Sequence, residues 1–309
     1  MTPLVLLLPV AAIRIRTTKA KPSFPMNLVA ICPARNEGWI LGLTARAALL
    51  YCDSIVIFNH ASTDDTAEII DGLIKEFPSR VNLIESSDPE WREMEHRQCL
   101  LDFARAIGAT HIANVDADEI LAGDLLPTIR GHIERLQPGT FLGIPMKNLH
   151  RSIAEYRADP SPFGSMAGTM LAFADAPNLG WAAKNGYDHH SRAPQGSRMG
   201  NILSTDGGLM HLQFASWRRL VAKHKAYRIL ERLKYPGKRV EDIERLYSQA
   251  TDESGLKLRP VPSSWWQPYE HLMGYLDLDR EPWQEGYVRR AVAEHGSAHF
   301  AGLNLIGLA

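Results

Sequence analysis

Cysteine is scarce in this sequence, and the few that occur show no pattern. Cys32, Cys52 and Cys99 are the only three among 309 residues, and no two of them have CxxC spacing. An odd number of scattered cysteines is typical of free thiols in a reducing compartment. The scarcity therefore argues against a disulfide framework and against a zinc site.

An excess of charge of one sign is also lacking. Lys and Arg number 34 and Asp and Glu number 35, which gives a net charge of −1. A balance of this kind implies neither a nucleic-acid partner nor an acidic substrate. The hydrophobic fraction of 45% and the charged fraction of 22% are those of a soluble globular protein.

The N-terminus has no apolar run long enough for a membrane span. The run from Leu4 to Ile13 is interrupted by Pro9 and is too short to cross a bilayer. Positive charges follow this run, whereas a signal peptide carries them before it. We predict that residues 1–25 form an edge strand or an unstructured leader, with an anchor on a membrane surface as the alternative. We expect the chain to be cytoplasmic. The alternative is a cytoplasmic chain that contacts the inner face of the membrane peripherally.

From about Met26 the sequence alternates short apolar runs with helical stretches. Strands of four to six residues that alternate with helices indicate βαβ units and a mainly parallel central sheet flanked by helices. The predicted strands are 27–32, 54–58, 81–85 and 111–115, and the predicted helices are 37–50, 64–77 and 90–107.

The pattern becomes less regular after residue 120. The predicted elements are a helix over 124–136, a strand over 140–145, a Pro- and Gly-rich loop over 150–168, short strands and loops over 181–212, and a helix from an N-cap at Ser216 to about Leu233. Prolines then interrupt the helical segments up to the C-terminus. We divide the chain into a leader (1–25), an α/β domain (26–234) and a helical C-terminal extension (235–309).

An acidic cluster, Asp116-Ala117-Asp118-Glu119, directly follows the fourth predicted strand. Ligands of open α/β sheets gather outside the carboxyl ends of the strands. Two acids separated by one residue can face one small ion, and Mg²⁺ or Mn²⁺ takes carboxylate oxygens at about 2.0–2.2 Å while keeping substrate phosphates as further ligands. The alternative is a solvated acidic turn or a helix N-cap.

Polar loops also follow the first two predicted strands. The first is Pro33-Ala34-Arg35-Asn36-Glu37, where Arg35 can contact phosphate and Asn36 or Glu37 a base or ribose. The second runs from Asn59 to Thr66, and its backbone N–H groups can hold a base or ribose. The alternative for both loops is a helix start, with Asn36 as an N-cap in the first.

In this order the motifs P-A-R-N-E, S-T-D-x-T and D-A-D-E resemble the N-terminal half of a family 2 glycosyltransferase of the GT-A fold. The resemblance covers roughly residues 26–230. Within that family, the chain more specifically resembles the branch in which these motifs are followed by a late histidine. It implies an inverting transfer from a nucleotide-diphosphate sugar, UDP- or GDP-linked, to a hydroxyl group. The acceptor would be a glycan, a lipid-linked molecule or a protein, and the cofactor Mn²⁺ or Mg²⁺.

The resemblance also implies site residues. Asp116 would lie near the ribose and the metal, and Asp118 would be a direct metal ligand. Relatives commonly carry an acidic residue where this chain has Asn59 or His60, which leaves the nucleotide preference open. The donor-binding candidates are Pro33, Arg35, Asn36, Glu37, Asn59, Ser62, Asp64, Arg97, Asp116 and Ala117.

The late histidine of the family corresponds to His211, in G-G-L-M-H-L-Q-F. In related enzymes this histidine reaches back to the metal, and an imidazole ligand suits Mn²⁺ better than Mg²⁺. The alternative is a loop histidine bonded to backbone. The helix after it is basic, and its charges either bind diphosphate or an anionic membrane surface, or form a solvated face. Nine basic residues lie in the stretch from this helix to residue 239: Arg218, Arg219, Lys223, Lys225, Arg228, Arg232, Lys234, Lys238 and Arg239.

Inverting transfer needs a base that deprotonates the acceptor hydroxyl. Asp188, in the polar stretch G-Y-D-H-H, is the preferred candidate. His189, His190 and Asp206 are the alternatives. Aromatic residues in the C-terminal extension either stack on an acceptor sugar or, as we prefer, pack the extension onto the main domain.

Two other classes of protein stay open. A nucleotidyltransferase-like enzyme would want a Gly-rich phosphate loop after the first strand, but P-A-R-N-E has no glycine before Gly38. A non-catalytic carbohydrate-binding protein could retain the fold. The Asp116 and Asp118 pair with His211 argues against that class, whereas the neutral Asn59 keeps it open.

Overall fold

A ten-stranded mixed β-sheet forms the centre of the structure, a computed structural model that describes residues 14–16, 26–161, 163–164, 166–182 and 192–305. The sheet order is β1-β4-β3-β2-β5-β9-β7-β11-β6, and β10 pairs with β7. Strands β8 and β12 form a separate two-stranded sheet. The strands are β1 Arg14–Arg16, β2 Leu28–Ala34, β3 Ser54–His60, β4 Val81–Ser86, β5 His111–Asn114, β6 Glu119–Leu121, β7 Thr140–Asn148, β8 Glu155–Arg157, β9 Met166–Ala174, β10 Arg198–Ile202, β11 Leu209–His211 and β12 Leu258–Pro260.

Strands β2 to β5 form the parallel half of the sheet. Every residue of β3 is buried, and β2 is buried at all but one position, as expected for strands covered on both faces. Along β2, Ala30 and Cys32 face one core, whereas Val29 and Ile31 face the other. This alternation with a period of two divides the interior into two hydrophobic layers.

Helices cover both faces of the parallel half. Leu41 and Ile70, from the first two helices, belong to one core, and Leu100 and Phe103, from the third, belong to the other. No described helix has the length and apolar character needed to cross a membrane. The α-helices are α1 Leu41–Ala48, α2 Thr66–Glu76, α3 Glu93–Ala106, α4 Leu126–Glu134, α5 Trp217–Lys234, α6 Val240–Ser248, α7 Ser263–Trp266 and α8 Trp283–His295.

The other half of the sheet is mixed. Strand β9 runs antiparallel to both β5 and β7, while β11 is parallel to β7 and antiparallel to β6. Strand β1 pairs antiparallel with β4 at the far edge. A central sheet with a parallel half formed by the N-terminal strands, helices on both faces of that half and a C-terminal helical region confirms the predicted α/β class.

Two prolines lie inside strands rather than at their ends. We predicted a strand end at Pro33, but β2 continues to Ala34 because β5 pairs with β2 only as far as Ile31, so the missing N–H faces a side with no partner strand. The predicted strand over 140–145 extends to Asn148. Its ladder to β9 shifts register around Pro145, and this bulge accommodates the missing donor.

The predicted long loop over 150–168 is partly regular. It contains β8, which pairs with β12 of the C-terminal region, and the first residues of β9. Arg157 of β8 donates to both carboxylate oxygens of Asp159 at 3.0 and 3.1 Å, and both side chains are buried. Long-range pairing of so short a strand leaves no local apolar pattern, so the sequence did not indicate it.

The C-terminal region packs against the α/β core. Trp265 and Tyr269 are buried in one hydrophobic cluster with Trp39 and Ile40, and the Tyr269 hydroxyl donates to the Leu121 carbonyl at 2.8 Å. Helices α5, α6 and α8 share a second cluster. These aromatic residues therefore pack, whereas Tyr275 is 44% exposed and stacks with Arg46 at 3.7 Å.

Parallel pairing brings the polar loops to one edge. Ala34 lies opposite Asn59, and Asn59 lies opposite Glu85, at the carboxyl ends of β2, β3 and β4. Strand β5 ends at Asn114, two residues before Asp116. The loops after β2, β3 and β5 therefore face the same region, which is where ligands of open α/β sheets bind.

Candidate functional site

The loops after β2 and β3 are joined by a hydrogen-bonded latch of Asn36, Gly38, Ser62, Thr63 and Asp64. Asn36 has a φ of +55°, a left-handed conformation that asparagine tolerates better than most residues. Its N–H donates to Ser62 Oγ at 2.9 Å, and its Oδ1 accepts from the N–H of Thr63 at 2.6 Å. Gly38 N–H donates to Asp64 Oδ2 at 3.1 Å. The predicted site residues Asn36, Ser62 and Asp64 therefore lie close together, and their hydrogen bonds join the two loops.

Glu37 points from the first loop towards the acidic cluster. Its carboxylate accepts from Trp39 Nε1 at 2.6 Å, and its N–H donates to Thr66 Oγ1 at 2.9 Å. Burial, and then the nearby Asp118 carboxylate, raise the pKa of Glu37 to about 8, although Lys223 opposes them. Glu37 therefore carries a proton for much of the time at neutral pH.

Arg35, Asn59 and Pro33 lie in or beside the same two loops. The Arg35 guanidinium donates to the Pro89 carbonyl at 2.8 Å and lies 5.4 Å from the centre of the Trp283 ring. Asn59 is buried, and its Oδ1 has no hydrogen-bond partner among the described residues. Such an unpaired buried acceptor is uncommon in folded proteins, and no described residue supplies its donor.

An aromatic cluster lies at the end of β3, formed by the buried Phe58, His60 and His96 and the exposed Trp91. The His96 ring stacks on Phe58 and lies 4.5 Å from the His60 ring, centre to centre. Burial lowers the pKa of His60 to about 4 and that of His96 to about 3, so both rings are neutral at pH 7. Sequence reasoning placed only His60 near the site.

Asp116 is held between two arginines. Arg97 donates to its Oδ1 at 3.1 Å and to Asn114 Oδ1 at 2.7 Å, and Arg192 donates to its Oδ2 at 2.8 Å. Burial would raise the pKa of Asp116, but Arg192 and Arg97 outweigh it and lower the value. The predicted donor-binding residue Arg97 therefore contacts Asp116. The Ala117 carbonyl accepts from the Thr44 hydroxyl at 2.6 Å, which ties the loop to α1.

Arg192 was missed by sequence reasoning. It forms a two-pronged ion pair with Glu119, in which Nη1 donates to Oε1 at 2.6 Å and Nη2 donates to Oε2 at 2.7 Å. The Glu119 side chain is only 1% exposed. The pair spans 73 residues with no motif around Arg192, so the sequence carried no signal for it.

Asp118 is the member of the cluster that these arginines leave free. Its Oδ2 lies 3.5 Å from His211 Nε2 and 3.8 Å from Lys223 Nζ. Burial would raise the pKa of Asp118, but His211 and Lys223 outweigh it and hold the value well below the usual range. Asp118 is therefore ionised and faces two nitrogen groups.

The sheet register explains how His211 reaches Asp118. His211 of β11 lies between Glu119 of β6 and Asn148 of β7, and the Leu212 N–H donates to the Asp118 carbonyl at 2.8 Å. Gly208 precedes β11 with a φ of +151°, and a Cβ there would lie 2.2 Å from the Pro145 carbonyl oxygen. The glycine lets β11 approach β7 closely enough for this pairing.

Asn148 orients the His211 ring. Its Nδ2 donates to the Phe163 carbonyl, which fixes the direction of the amide, and its Oδ1 lies 2.8 Å from His211 Nδ1. Nδ1 must therefore carry a proton, and Nε2 faces Asp118. Burial would lower the pKa of His211, but the Asp118 carboxylate outweighs it and raises the value.

Asp118 and His211 fit one divalent ion, although they do not complete its coordination. Two adjacent ligands at about 2.1 Å from one ion lie about 3 Å apart, which is close to their 3.5 Å separation. Within the described ranges, no group of three or more His, Cys, Asp or Glu side chains is arranged to hold a metal. A metal here would need further ligands from a substrate or from water.

Most basic side chains of α5 are paired within the chain. Arg218 donates to Glu285, Arg228 donates to Glu244, and Lys223 donates to Gln213 Oε1 at 2.6 Å. Arg219 is buried and lies 4.3 Å from the centre of the Trp39 ring. This pairing weakens the prediction that the helix presents its charge to an anionic surface.

The structure does not describe the preferred candidate for the catalytic base. Asp188, His189 and His190 lie outside the described residues. Asp206 is described and exposed, in the turn between β10 and β11. The assignment of Asp188 therefore stays a prediction.

Comparison with known proteins finds only distant likeness. The chain is 14% identical to S. aureus TarS 1-349, with a TM-score of 0.43 over 89% of this chain and 83% of that one. For TarS 1-349 in complex with UDP the values are 13%, 0.44, 89% and 80%. For the mannosyltransferase PcManGT from Pyrobaculum calidifontis, in complex with GDP-Man and Mn²⁺, they are 14%, 0.39, 93% and 79%. No protein-family model matches the chain, and no curated protein matches it significantly.

Proposed function

We propose that this chain is a divalent-metal-dependent, inverting glycosyltransferase that uses a UDP- or GDP-linked sugar. The observation that carries the proposal is the pair of Asp118 and His211 at the carboxyl edge of the sheet, with the His211 ring oriented by Asn148. A carboxylate and a correctly oriented imidazole, placed beside two latched polar loops, suit a site for a metal and a diphosphate.

Asp118 and His211 would hold the metal, and the two donor phosphates and water would complete its coordination. When bound, such an ion neutralises the negative charge that develops on a leaving diphosphate. The imidazole ligand favours Mn²⁺ over Mg²⁺. Lys223, whose ammonium group lies 3.8 Å from Asp118, adds a second positive charge beside the diphosphate position.

The two latched loops would bind the nucleoside. The unpaired Asn59 Oδ1 would accept a hydrogen bond from a base N–H, and Arg35 in the first loop adds a positive charge. Asp116, which Arg97 and Arg192 hold in one orientation, would accept a hydrogen bond from a ribose hydroxyl. Asp188 would take the proton from the acceptor hydroxyl. The acceptor class, a cytoplasmic location and any peripheral membrane contact are predictions from the sequence alone.

The proposal is tested by thermal unfolding with a panel of UDP- and GDP-sugars, with and without Mn²⁺. A ligand present at 100 times its Kd stabilises the fold by about 2.7 kcal/mol, so binding raises the melting temperature. We expect one nucleotide class to stabilise the chain, and more strongly with Mn²⁺. Absence of stabilisation by every nucleotide sugar and nucleotide diphosphate would sink the proposal.

Asp118→Asn sharpens the test, since it keeps the shape of the side chain and removes its charge. We expect the variant to fold and to lose the Mn²⁺-dependent part of donor binding. Asp175→Asn is the matched control, because Asp175 is 15% exposed against 13% for Asp118 and is also paired, with Arg105. Unchanged Mn²⁺-dependent binding or nucleotide-sugar hydrolysis in Asp118→Asn would show that the metal assignment is wrong.

A further inference from the structure

The guanidinium of Arg192 lies in a cage of oxygen atoms at the acidic cluster. Nη1 lies 2.8 Å from Asp116 Oδ2 and 2.6 Å from Glu119 Oε1. Nη2 lies 2.7 Å from Glu119 Oε2 and 3.0 Å from the Asn114 carbonyl oxygen, and Nε is 3.4 Å from the Met170 carbonyl oxygen. Five oxygens, three of them from carboxylates, therefore converge on one positively charged group.

This arrangement leaves Arg192 no hydrogen-bonding capacity for a substrate. A guanidinium has five N–H donors, and the five contacts above account for all of them. The Arg192 side chain is 17% exposed, and Glu119, its main partner, is 1% exposed. A direct role in binding phosphate would require Arg192 to leave a buried carboxylate uncompensated, which is strongly unfavourable.

We propose that the Arg192 guanidinium supplies the positive charge of the acidic cluster and occupies a place otherwise suited to a hard metal ion. Arg192 is thus a positioning residue. By engaging both Asp116 oxygens together with Arg97, it withholds Asp116 and Glu119 from any exchangeable metal. Asp118 is then the only carboxylate of the cluster left to coordinate one. The statement about Asp118 rests on the proposed function, whereas the statement about the cage does not.

The oxygen cage itself makes the inference testable without substrate. Ca²⁺ takes several carboxylate and carbonyl oxygens at about 2.3–2.6 Å, which are the groups that surround Arg192. Arg192→Ala removes the positive charge and opens the volume of the side chain for an ion and water. We expect this variant to bind Ca²⁺ at least tenfold more tightly than the native chain in isothermal titration calorimetry without nucleotide, and to regain melting temperature on adding Ca²⁺.

Three further variants separate this cause from a general loss of structure. Arg192→Met removes the charge but fills the volume, and Arg192→Lys keeps a cation in place, so neither should gain Ca²⁺ affinity. Arg105→Ala, which removes a two-pronged pair with Asp175 outside the acidic cluster, should behave like the native chain. A folded Arg192→Ala variant without added Ca²⁺ affinity, or an equal gain in Arg192→Met, would overturn the inference.

A second measurement decides the matter if Arg192→Ala does not fold. In the otherwise native chain saturated with UDP or GDP, Asp116→Asn should leave the affinity for Mn²⁺ within about threefold, because Asp116 is engaged by arginines. An equal loss of Mn²⁺ affinity in Asp116→Asn and Asp118→Asn would show that Asp116 is a ligand and would overturn the inference. If neither substitution changes Mn²⁺ affinity, the proposed function fails instead.

Discussion

Asn148 provides the sharpest test of whether His211 is a metal ligand or only a buried polar side chain. Asn148→Leu keeps a similar volume but removes the acceptor that holds the Nδ1 proton of His211 at 2.8 Å. The neutral ring is then free to move its proton to Nε2, the nitrogen that faces Asp118. Loss of such a supporting partner typically lowers metal affinity 10- to 100-fold, or by about 1.4–2.8 kcal/mol.

The same substitution has a separate cost for folding. Asn148 is 3% exposed, and its replacement leaves the Phe163 carbonyl and the His211 Nδ1 proton without partners. Each unpaired buried group costs about 1–3 kcal/mol. Urea unfolding therefore has to accompany the binding measurement, so that affinity is compared only between folded variants.

The assay is calorimetric titration of Mn²⁺ into chain saturated with UDP or GDP. Asn82→Leu is the matched control, because Asn82 is 2% exposed, lies in a strand, and its Oδ1 has no described hydrogen-bond partner. We expect the control to keep the Mn²⁺ affinity of the native chain. A folded Asn148→Leu variant that binds Mn²⁺ within twofold of the native chain would refute the role assigned to His211.

Two predictions concern stability and pH. In the folded chain the pKa values of His60 and His96 are about 4 and about 3, whereas the pKa of a histidine in an unfolded chain is about 6.5. The unfolded chain therefore binds more protons, and stability falls as the pH drops below about 6.5. The slope of the unfolding free energy against pH approaches about 1.4 kcal/mol per pH unit for each histidine. His96→Phe should reduce this slope when urea unfolding is measured between pH 7 and 5. An unchanged slope would count against this account. Burial would raise the pKa of Asp159, but hydrogen bonds from Arg157 hold it at about 2, so its stabilisation is present above about pH 4 and disappears towards pH 2. Asp159→Ala should cost about 3–5 kcal/mol at pH 7, since it leaves a buried guanidinium unpaired, and a loss below about 1 kcal/mol would contradict this.

The parallel half of the fold was predictable because its strands are buried on both faces. Continuous apolar runs such as residues 55–58 mark such strands, and parallel pairing then brings the loops after them to one edge. The mixed half was less accessible to prediction. Three-residue strands such as Leu209–His211 show no measurable period, and Pro145 lies within a strand only because a bulge accommodates it.

The site was predictable where one loop supplied several residues and not where distant residues meet. Asp116 and Asp118 follow a strand directly, so their position at the sheet edge was inferred from local sequence. Arg192 contacts Asp116 from 76 residues away, and its partners are determined by tertiary packing rather than by a motif. Asn36 was interpreted either as a ligand contact or as a helix cap. The structure shows its side chain bonded to the neighbouring loop, and it does not cap α1, which begins at Leu41.

The latch between the loops after β2 and β3 has a consequence for engineering. Because Asn36 bonds to Ser62, Thr63 and Asp64, neither loop has an independent conformation to exchange. A graft of one loop from another protein would meet the wrong hydrogen-bonding partner, and the left-handed Asn36 would lose the contacts that stabilise it. Redesign of this region should therefore treat the two loops as a single unit, exchanged together or not at all.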